Sequence, residues 1–244
     1  MTDERGIALD GVRVSRGERS ILAVDDLRLT ESRIGLIGAN GSGKSTLLRC
    51  FNGLVAPDHG RVTVDGLDAA KATRAVRRKV GFVFQDPEAQ IVMPTIAEEM
   101  DLGLKARKLP AEERRRRGGE ALARFGLAGR EGDSAHLLSG GEKQRLALAS
   151  IFALHPDILV MDEPTAMLDL PGKRLFRRLV APLPQRVVLA THDLDLVRDC
   201  ERVLVVDQGR VVADDEPDAA IAAYVDLVDA YEAAGRDSAA EAAA

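Results

Sequence analysis

The octapeptide GANGSGKS, from Gly38 to Ser45, constrains the fold more than any other stretch of this chain. It follows the apolar run RIGLI and opens into the helical pattern KSTLLRCFNGL, so its glycines sit at a strand-to-helix turn. Gly38, Gly41 and Gly43 permit positive φ and close backbone approach. Successive N–H groups along Ala39, Asn40 and Ser42, together with the helix N-terminus, then converge on one point beyond the strand, which is how backbone holds phosphate. Lys44 is placed to reach the β and γ phosphates of a nucleotide, and Ser45 to offer a hydroxyl to Mg²⁺, with Thr46 next along the helix. At average composition the four fixed letters of this pattern recur by chance in roughly 1% of chains this long. The strand and helix around them weigh further against an ordinary glycine-rich turn.

Elsewhere short β-branched runs (IALDGVRV, RVTVDG, VGFVF, DILVM, RVVLA) alternate with helical stretches, which predicts an α/β fold with a largely parallel sheet. The runs at Ile158 to Met161 and Val187 to Ala190 are apolar without alternation, as strands covered on both faces are. From Pro94 to Leu154 helix formers take over, with Pro110, Glu112 and Glu113 suited to a first helical turn, so a helical insertion is expected there. VLVVDQGRVV, Val203 to Val212, reads as a hairpin turning at Gly209. After Pro217 an alanine-rich helix is predicted as far as Tyr231, with the final ten residues frayed.

Of the 244 residues 45% are hydrophobic, enough for one core or two close subdomains. Lys and Arg number 34 against 39 for Asp and Glu, a net charge of −5, so no nucleic acid partner is expected. The opening MTDERGIALDGVRV is charged where a secretory signal would be apolar, and no apolar run approaches the roughly 18 residues of a membrane span. A cytoplasmic location is the expectation. Cys50 and Cys200 form no C-x-x-C pair and are expected as reduced, buried thiols. Arg114 to Arg117 read as a solvated helix face, with lipid headgroups or an acidic partner as the sharper alternative. Gly118 and Gly119 beside them should each weaken that helix by roughly 1 kcal/mol relative to alanine.

DILVMDEPT puts Asp162 and Glu163 at the C-terminal end of a buried strand, the edge where open α/β sheets bind ligands. Neighbouring strand residues point to opposite sides, so the two carboxylates are expected to divide the work. Asp162 fits a Mg²⁺ shell and Glu163 fits a base or orienter for an attacking water. His59, His136 and His155 read as structural or merely exposed.

LSGGEKQR, Leu138 to Arg145, resembles the signature motif of the ABC ATPases. Six fixed letters of it arise by chance in on the order of one chain in 10⁵. With GANGSGKS, ILVMDE and LATHDLD in the family's order, the resemblance runs from about Ile7 to Asp215. It implies the P-loop ATPase fold of that family: an α/β core with a mixed, mostly parallel sheet and an inserted helical subdomain. Residues 1–85 and 155–215 would be the nucleotide-binding core with an N-terminal β subdomain, 86–154 the helical signature subdomain, and 216–244 a C-terminal helix and frayed tail. It also implies ATP with Mg²⁺, and catalytic roles for Lys44, Gln85, Glu163 and His192, with Ser45, Gln85 and Asp162 around the metal. Ser139, Gly140, Gly141 and Glu142 would contact ATP held by a second chain, and Asp169 would belong to the D-loop. One phosphate loop and one signature per chain imply a head-to-tail homodimer or heterodimer of ATPase subunits.

QDPEAQIVMPTIAEE, including Gln90, looks like the energy-coupling-factor branch of the family, and GLKARKLPAEE like its biotin-transport members. The branch implies a transmembrane coupling protein and a small substrate-binding membrane protein as partners, with this chain peripheral at the cytoplasmic face. Cobalt, nickel or another vitamin stay open as cargo, as does a soluble ATPase of the iron-sulfur assembly type. Two positions depart from the family: VSRGERS lacks its adenine-stacking aromatic, with Arg16 near that place, and Met167 stands where glycine is common.

Overall fold

The structure, a computed structural model, describes residues 5–242, with side chains described as far as residue 234. Strands β1 (Ile7–Arg16) and β2 (Arg19–Leu29) form a hairpin, and β3 (Arg33–Ile37) runs through the glycine loop into α1 (Lys44–Phe51). β4 (His59–Val64) and the short β5 (Leu67–Asp68) precede α2 (Thr73–Lys79) and β6 (Val80–Val83). Three helices follow: α3 (Ile96–Ala106), α4 (Ala111–Arg124) and α5 (Gly140–Phe152). The chain returns through β7 (Ile158–Asp162), α6 (Leu170–Val180), β8 (Arg186–Ala190), α7 (Leu194–Val197), the hairpin β9 (Arg202–Asp207) and β10 (Arg210–Asp215), and finally α8 (Pro217–Ala242).

The strands divide into two sheets, a four-stranded β2-β1-β4-β5 and a six-stranded β10-β9-β3-β8-β7-β6. All pairings in the first sheet are antiparallel; those in the second are parallel except at the β9–β10 hairpin. Each parallel strand alternates its side chains between two cores, as a period of two requires. Ile34, Leu36, Val160, Val188 and Leu204 join α1 and the first sheet in one core, while Ile37, Leu159, Met161, Leu189 and Val205 face α3 to α8 in the other. Burial on both faces explains why these strands read as unbroken apolar runs.

The helical insertion starts at α3 with a reciprocal cap: Thr95 accepts from Glu98 N while the Glu98 carboxylate accepts from Thr95 N at 3.1 Å. α4 runs through Gly118 and Gly119 without a break. A Cβ at Gly118 would lie 3.6 Å from Met100 Cβ, so this glycine packs against α3. Pro110 is the N-cap, one position before the first turn in which it was expected. The arginine run carries its own counter-charges, Arg116 on Glu113 and Glu120, Arg117 on Glu113, and Arg114 on Asp101. Three of the four cations are therefore satisfied within the chain, which favours the solvated face over lipid contact. Cys50 and Cys200 are free thiols, the first buried and the second half-buried, and burial pushes both up to about 12. α8 extends to Ala242 where the sequence reading ended it near Tyr231 and frayed the rest. Alanine and glutamate after Gly235 have enough helix propensity to carry the backbone on; residues 243 and 244 lie outside the described residues.

Candidate active site

Strands β3 and β7 of the six-stranded sheet run directly into functional groups at their C-terminal ends, and His192 and Gln85 follow two residues after β8 and β6. β3 ends in the glycine loop, where Gly38, Gly41 and Gly43 all have positive φ. Gly38 is the tightest of these positions, because a Cβ there would stand 2.1 Å from the carbonyl oxygen of Val206. The loop is also braced by the β9–β10 turn, since Gly209 N donates to Ser42 O at 2.7 Å and Ala23 N donates to Gly209 O at 2.7 Å. Lys44, only 7% exposed, folds back and donates to the carbonyls of Gly38 and Ala39 at 2.7 and 2.9 Å. Burial pushes its pKa down, against the pull of Glu163 and Asp162.

β7 ends at Asp162, which is 1% exposed and accepts from the Ser45 hydroxyl at 3.0 Å through Oδ1. Its Oδ2 is buried with no partner. Burial raises the Asp162 pKa, with Ser45, Arg49 and Lys44 pulling the other way. A hydroxyl beside an unsatisfied carboxylate oxygen, both at a phosphate loop, fits the hard oxygen donor set that Mg²⁺ takes together with nucleotide phosphates and water. Ser45 and Asp162 are the residues that would hold it.

Glu163, one residue on, lies beyond the end of β7 and lines the same cleft. Its φ of 48° lies in the left-handed region that side-chained residues seldom adopt, and its N–H donates to Ala190 O at 2.9 Å on β8. Its carboxylate Oε2 lies 2.8 Å from His192 Nδ1 and accepts from His192 N at 3.4 Å. His192 follows β8 and its side chain is 68% exposed, so the pair reaches from a buried carboxylate to an open imidazole. A carboxylate so placed can take a proton from water, and an imidazole beside it can orient an anionic group.

A cleft of about 460 Å³ over the loop is lined by the loop residues with Gln85, Asp162 and Glu163, and by Arg16, Arg19, Ile21 and Arg49. Gln85 is exposed in it and makes no recorded bond to Ser45 or Asp162. The segment after Gln85 is fastened to the helical layer instead: Gln90 accepts from Phe84 N at 3.1 Å and donates to Ala147 O on α5 at 2.9 Å, and Glu88 pairs with Lys143. Arg19, Ile21 and Arg49 were not singled out from the sequence; they arrive through the β1–β2 register and the helical face of α1, for which no local motif exists.

Ser139, Gly141, Glu142 and Asp169 do not meet the phosphate loop of their own chain. They line a second cleft, about 560 Å³, between the starts of α5 and α6. Ser139 is the N-cap of α5, and the Glu142 carboxylate accepts from Ser139 N at 2.8 Å and from its hydroxyl at 2.9 Å. Those bonds, with Arg130 beside it, hold Glu142 down to about 2. Its carboxylate is thus engaged in the cap within this chain. Asp169 caps α6 by accepting from Gly172 N at 2.9 Å. Met167 leans on the signature helix: a Cβ at Gly140 would lie 2.8 Å from the Met167 methyl.

The chain matches the family model described as ABC transporter over residues 26–166. It is a member of the ABC transporter family. The biotin transport ATP-binding protein BioM of Rhizobium etli is 44% identical over 221 residues, covering 91% of this chain and 98% of that protein. The energy-coupling factor transporter ATP-binding protein EcfA1 of Symbiobacterium thermophilum is 44% identical over 199 residues, 78% of this chain and 69% of that protein. Among solved structures, CbiO1 of Clostridium perfringens, part of the ABC transporter complex CbiONQ, superposes with a TM-score of 0.77 at 31% identity, covering 91% and 92% of the two chains. This ABC chain is accordingly the ATP-hydrolysing subunit of a transporter, with the α/β fold of its family. Among the described residues no helix is long and apolar enough to cross a membrane.

Proposed function

We propose that this chain powers an energy-coupling-factor importer for biotin, working as a dimer at the cytoplasmic face of the membrane against a transmembrane coupling protein and a small substrate-binding membrane protein. The observation that carries the cargo is the likeness to the biotin transport protein of Rhizobium etli, which spans nearly the whole of both chains. The dimer is supported by the separation of the two clefts. The phosphate loop with Asp162 and Glu163 lines one, the signature with Asp169 the other, so neither is a complete ATP site within one chain.

The backbone of residues 38–46 and Lys44 bind the phosphates; Lys44 exchanges its two carbonyl acceptors for phosphate oxygens as ATP enters. Ser45 and Asp162 are the residues that would hold Mg²⁺, which would supply charge neutralisation to the phosphates. Glu163 takes the proton of the attacking water, and His192 turns from the Glu163 carboxylate toward the γ-phosphate. Ser139 and the first N–H groups of α5, at Gly140 and Gly141, receive the γ-phosphate bound to the facing chain. Gln85 lies in the cleft, and the bonds of Gln90 and Glu88 to α5 give a rigid route from the cleft to the helical layer, near which the exposed Val92 offers a membrane partner an apolar contact.

The test is to tag the chain, purify it in mild detergent from its host's membranes, and identify co-purifying proteins and small molecules by mass spectrometry. A coupling protein together with a small membrane protein carrying biotin is the expected result. Cobalt, nickel or another vitamin on that protein replaces the cargo alone, and recovery with soluble iron-sulfur assembly proteins overturns the importer.

A further inference from the structure

One stripe of α8 leads to the turn that braces the phosphate loop. Ala220, Tyr224, Leu227 and Tyr231 recur at helical spacing, and the first three pack on the larger core. Tyr231 continues the stripe past the core, with its side chain half exposed. Its hydroxyl donates to Asp207 Oδ2 at 2.6 Å and accepts from Gln208 Nε2 at 2.9 Å. A phenol has one proton to give and lone pairs to accept with, so both bonds form together.

Asp207 and Gln208 belong to the turn between β9 and β10. The two central residues of that turn, Gln208 and Gly209, have φ of 45° and 77°. Such a turn favours Asn-Gly or Gly-Gly, and glutamine seldom adopts the left-handed region. The bond to Tyr231 gives Gln208 a partner in that conformation, so α8 holds the turn from outside. On the inner side Gly209 is wedged between β2 and the phosphate loop. A Cβ on it would stand 2.5 Å from Ile21 O, and a Cβ on Gly43 would lie 3.2 Å from Gly209 Cα. Gly209 N donates to Ser42 O and Ala23 N donates to Gly209 O, so an outward swing of the turn would release the loop at Ser42.

We propose that Tyr231 is a positioning residue for the phosphate loop: by holding Asp207 and Gln208, its hydroxyl keeps Gly209 seated against Ser42, and the loop keeps its phosphate-receiving shape before nucleotide arrives. It touches no nucleotide and moves no proton. A loop already in place binds without the cost of ordering it. Where the loop is in place in only a fraction of free chains, the dissociation constant rises by the inverse of that fraction, and saturating nucleotide restores the shape. The hydroxyl therefore acts on affinity and leaves turnover alone. The inference rests on the nucleotide site and is independent of the cargo.

The test compares the full chain with Tyr231→Phe, which keeps the ring and its packing and removes both bonds. Calorimetry reads MgATP and MgADP affinity, phosphate release reads kcat at saturating MgATP, and hydrogen exchange of the nucleotide-free chain reads the Gly209 and Ala23 amides. The expected result is a dissociation constant about two- to fivefold weaker for both nucleotides, the range for losing a hydrogen bond at the surface, with faster exchange at Gly209 and an unchanged kcat. Asp207→Ala should do the same, whereas Asp207→Asn, which still accepts from the hydroxyl, should bind like wild type. The double variant Asp207→Ala with Tyr231→Phe should be no weaker than either single one, because the two side chains act as a unit. The two Asp207 variants decide the matter if Tyr231→Phe does not fold. Wild-type affinity in Tyr231→Phe, or a lower Tm with affinity and Gly209 exchange untouched, overturns the proposal and leaves the hydroxyl as a peg for α8 alone. A fall in kcat at unchanged affinity overturns it too. If the wild-type chain binds neither nucleotide, the site and the proposal fall together, an outcome distinct from any seen in the variants alone.

Discussion

Asp162→Asn should move stability and nucleotide response in opposite directions. The carboxylate is buried to 1% exposure, one oxygen holds the Ser45 hydroxyl, and the other has no partner. Burial raises its pKa in the folded chain. Its favourable contribution is thus fully present only below the ordinary aspartate range, about 4, and is lost as pH rises through the folded value. At neutral pH the nucleotide-free chain carries an ionised group that the fold resists. Asparagine has nearly the same shape and keeps the Ser45 bond, so the substitution should stabilise the free chain by on the order of 1 kcal/mol, the usual yield of relieving a strained functional site. For a chain of this length that raises Tm by about 2 to 4 °C. The gain should shrink as pH falls toward about 4. With MgATP at a hundred times its Kd, wild type gains about 2.7 kcal/mol, whereas the variant, lacking the anionic Mg²⁺ ligand, should gain much less. Thermal melts with and without MgATP at pH 7 and pH 5 read both effects. A lower Tm for the free variant, or a MgATP shift equal to that of wild type, refutes the reasoning.

Three further substitutions probe the rest of the machinery. Glu163→Gln keeps an acceptor for His192 and removes the base, so phosphate release should fall at least about a hundredfold while ATP still holds the dimer closed; near-normal release sinks the role. Ser139→Ala removes one half of the α5 cap and should cost about 1 kcal/mol, with loss of ATP-driven dimerisation by light scattering; an unaltered Tm would show that the cap carries nothing. Gly38→Ala puts a Cβ 2.1 Å from the Val206 oxygen, and overpacking of about 1 to 3 kcal/mol should lower Tm and weaken nucleotide binding; a variant melting and binding like wild type would mean the loop relaxes freely.

The nucleotide loop was legible because a phosphate site made of backbone demands glycine at fixed places, and glycine is visible in a sequence. Asp162 engages Ser45 and Glu163 engages His192, and the positive φ that aims Glu163 at His192 had no advance signal in strand periodicity. The engagement of Glu142 was legible as well: S-x-x-E at a helix start is a capping box, and the carboxylate serves Ser139. The counter-ions of Arg116, at i−3 and i+4, and of Arg117, at i−4, also stand at helical spacing and could have been read, whereas Asp101 reaches Arg114 only through the packing of α3 on α4. Arg19 and Ile21 enter the cleft by strand register across a different sheet, which no motif encodes.

The strand that carries the nucleotide loop lies between β8 and β9, both made long after it. During synthesis β3 and its glycines leave the ribosome with no sheet neighbour on either side, and the Gly209 brace is among the last pieces to arrive. At about 5 to 20 residues per second the interval is on the order of ten to thirty seconds, during which an apolar strand, RIGLI, waits unpaired. Nascent chains truncated before β9 should therefore neither retain nucleotide nor resist protease at the loop, and a slow codon run just upstream of β8 would lengthen the exposure of that strand more than one placed anywhere after β10.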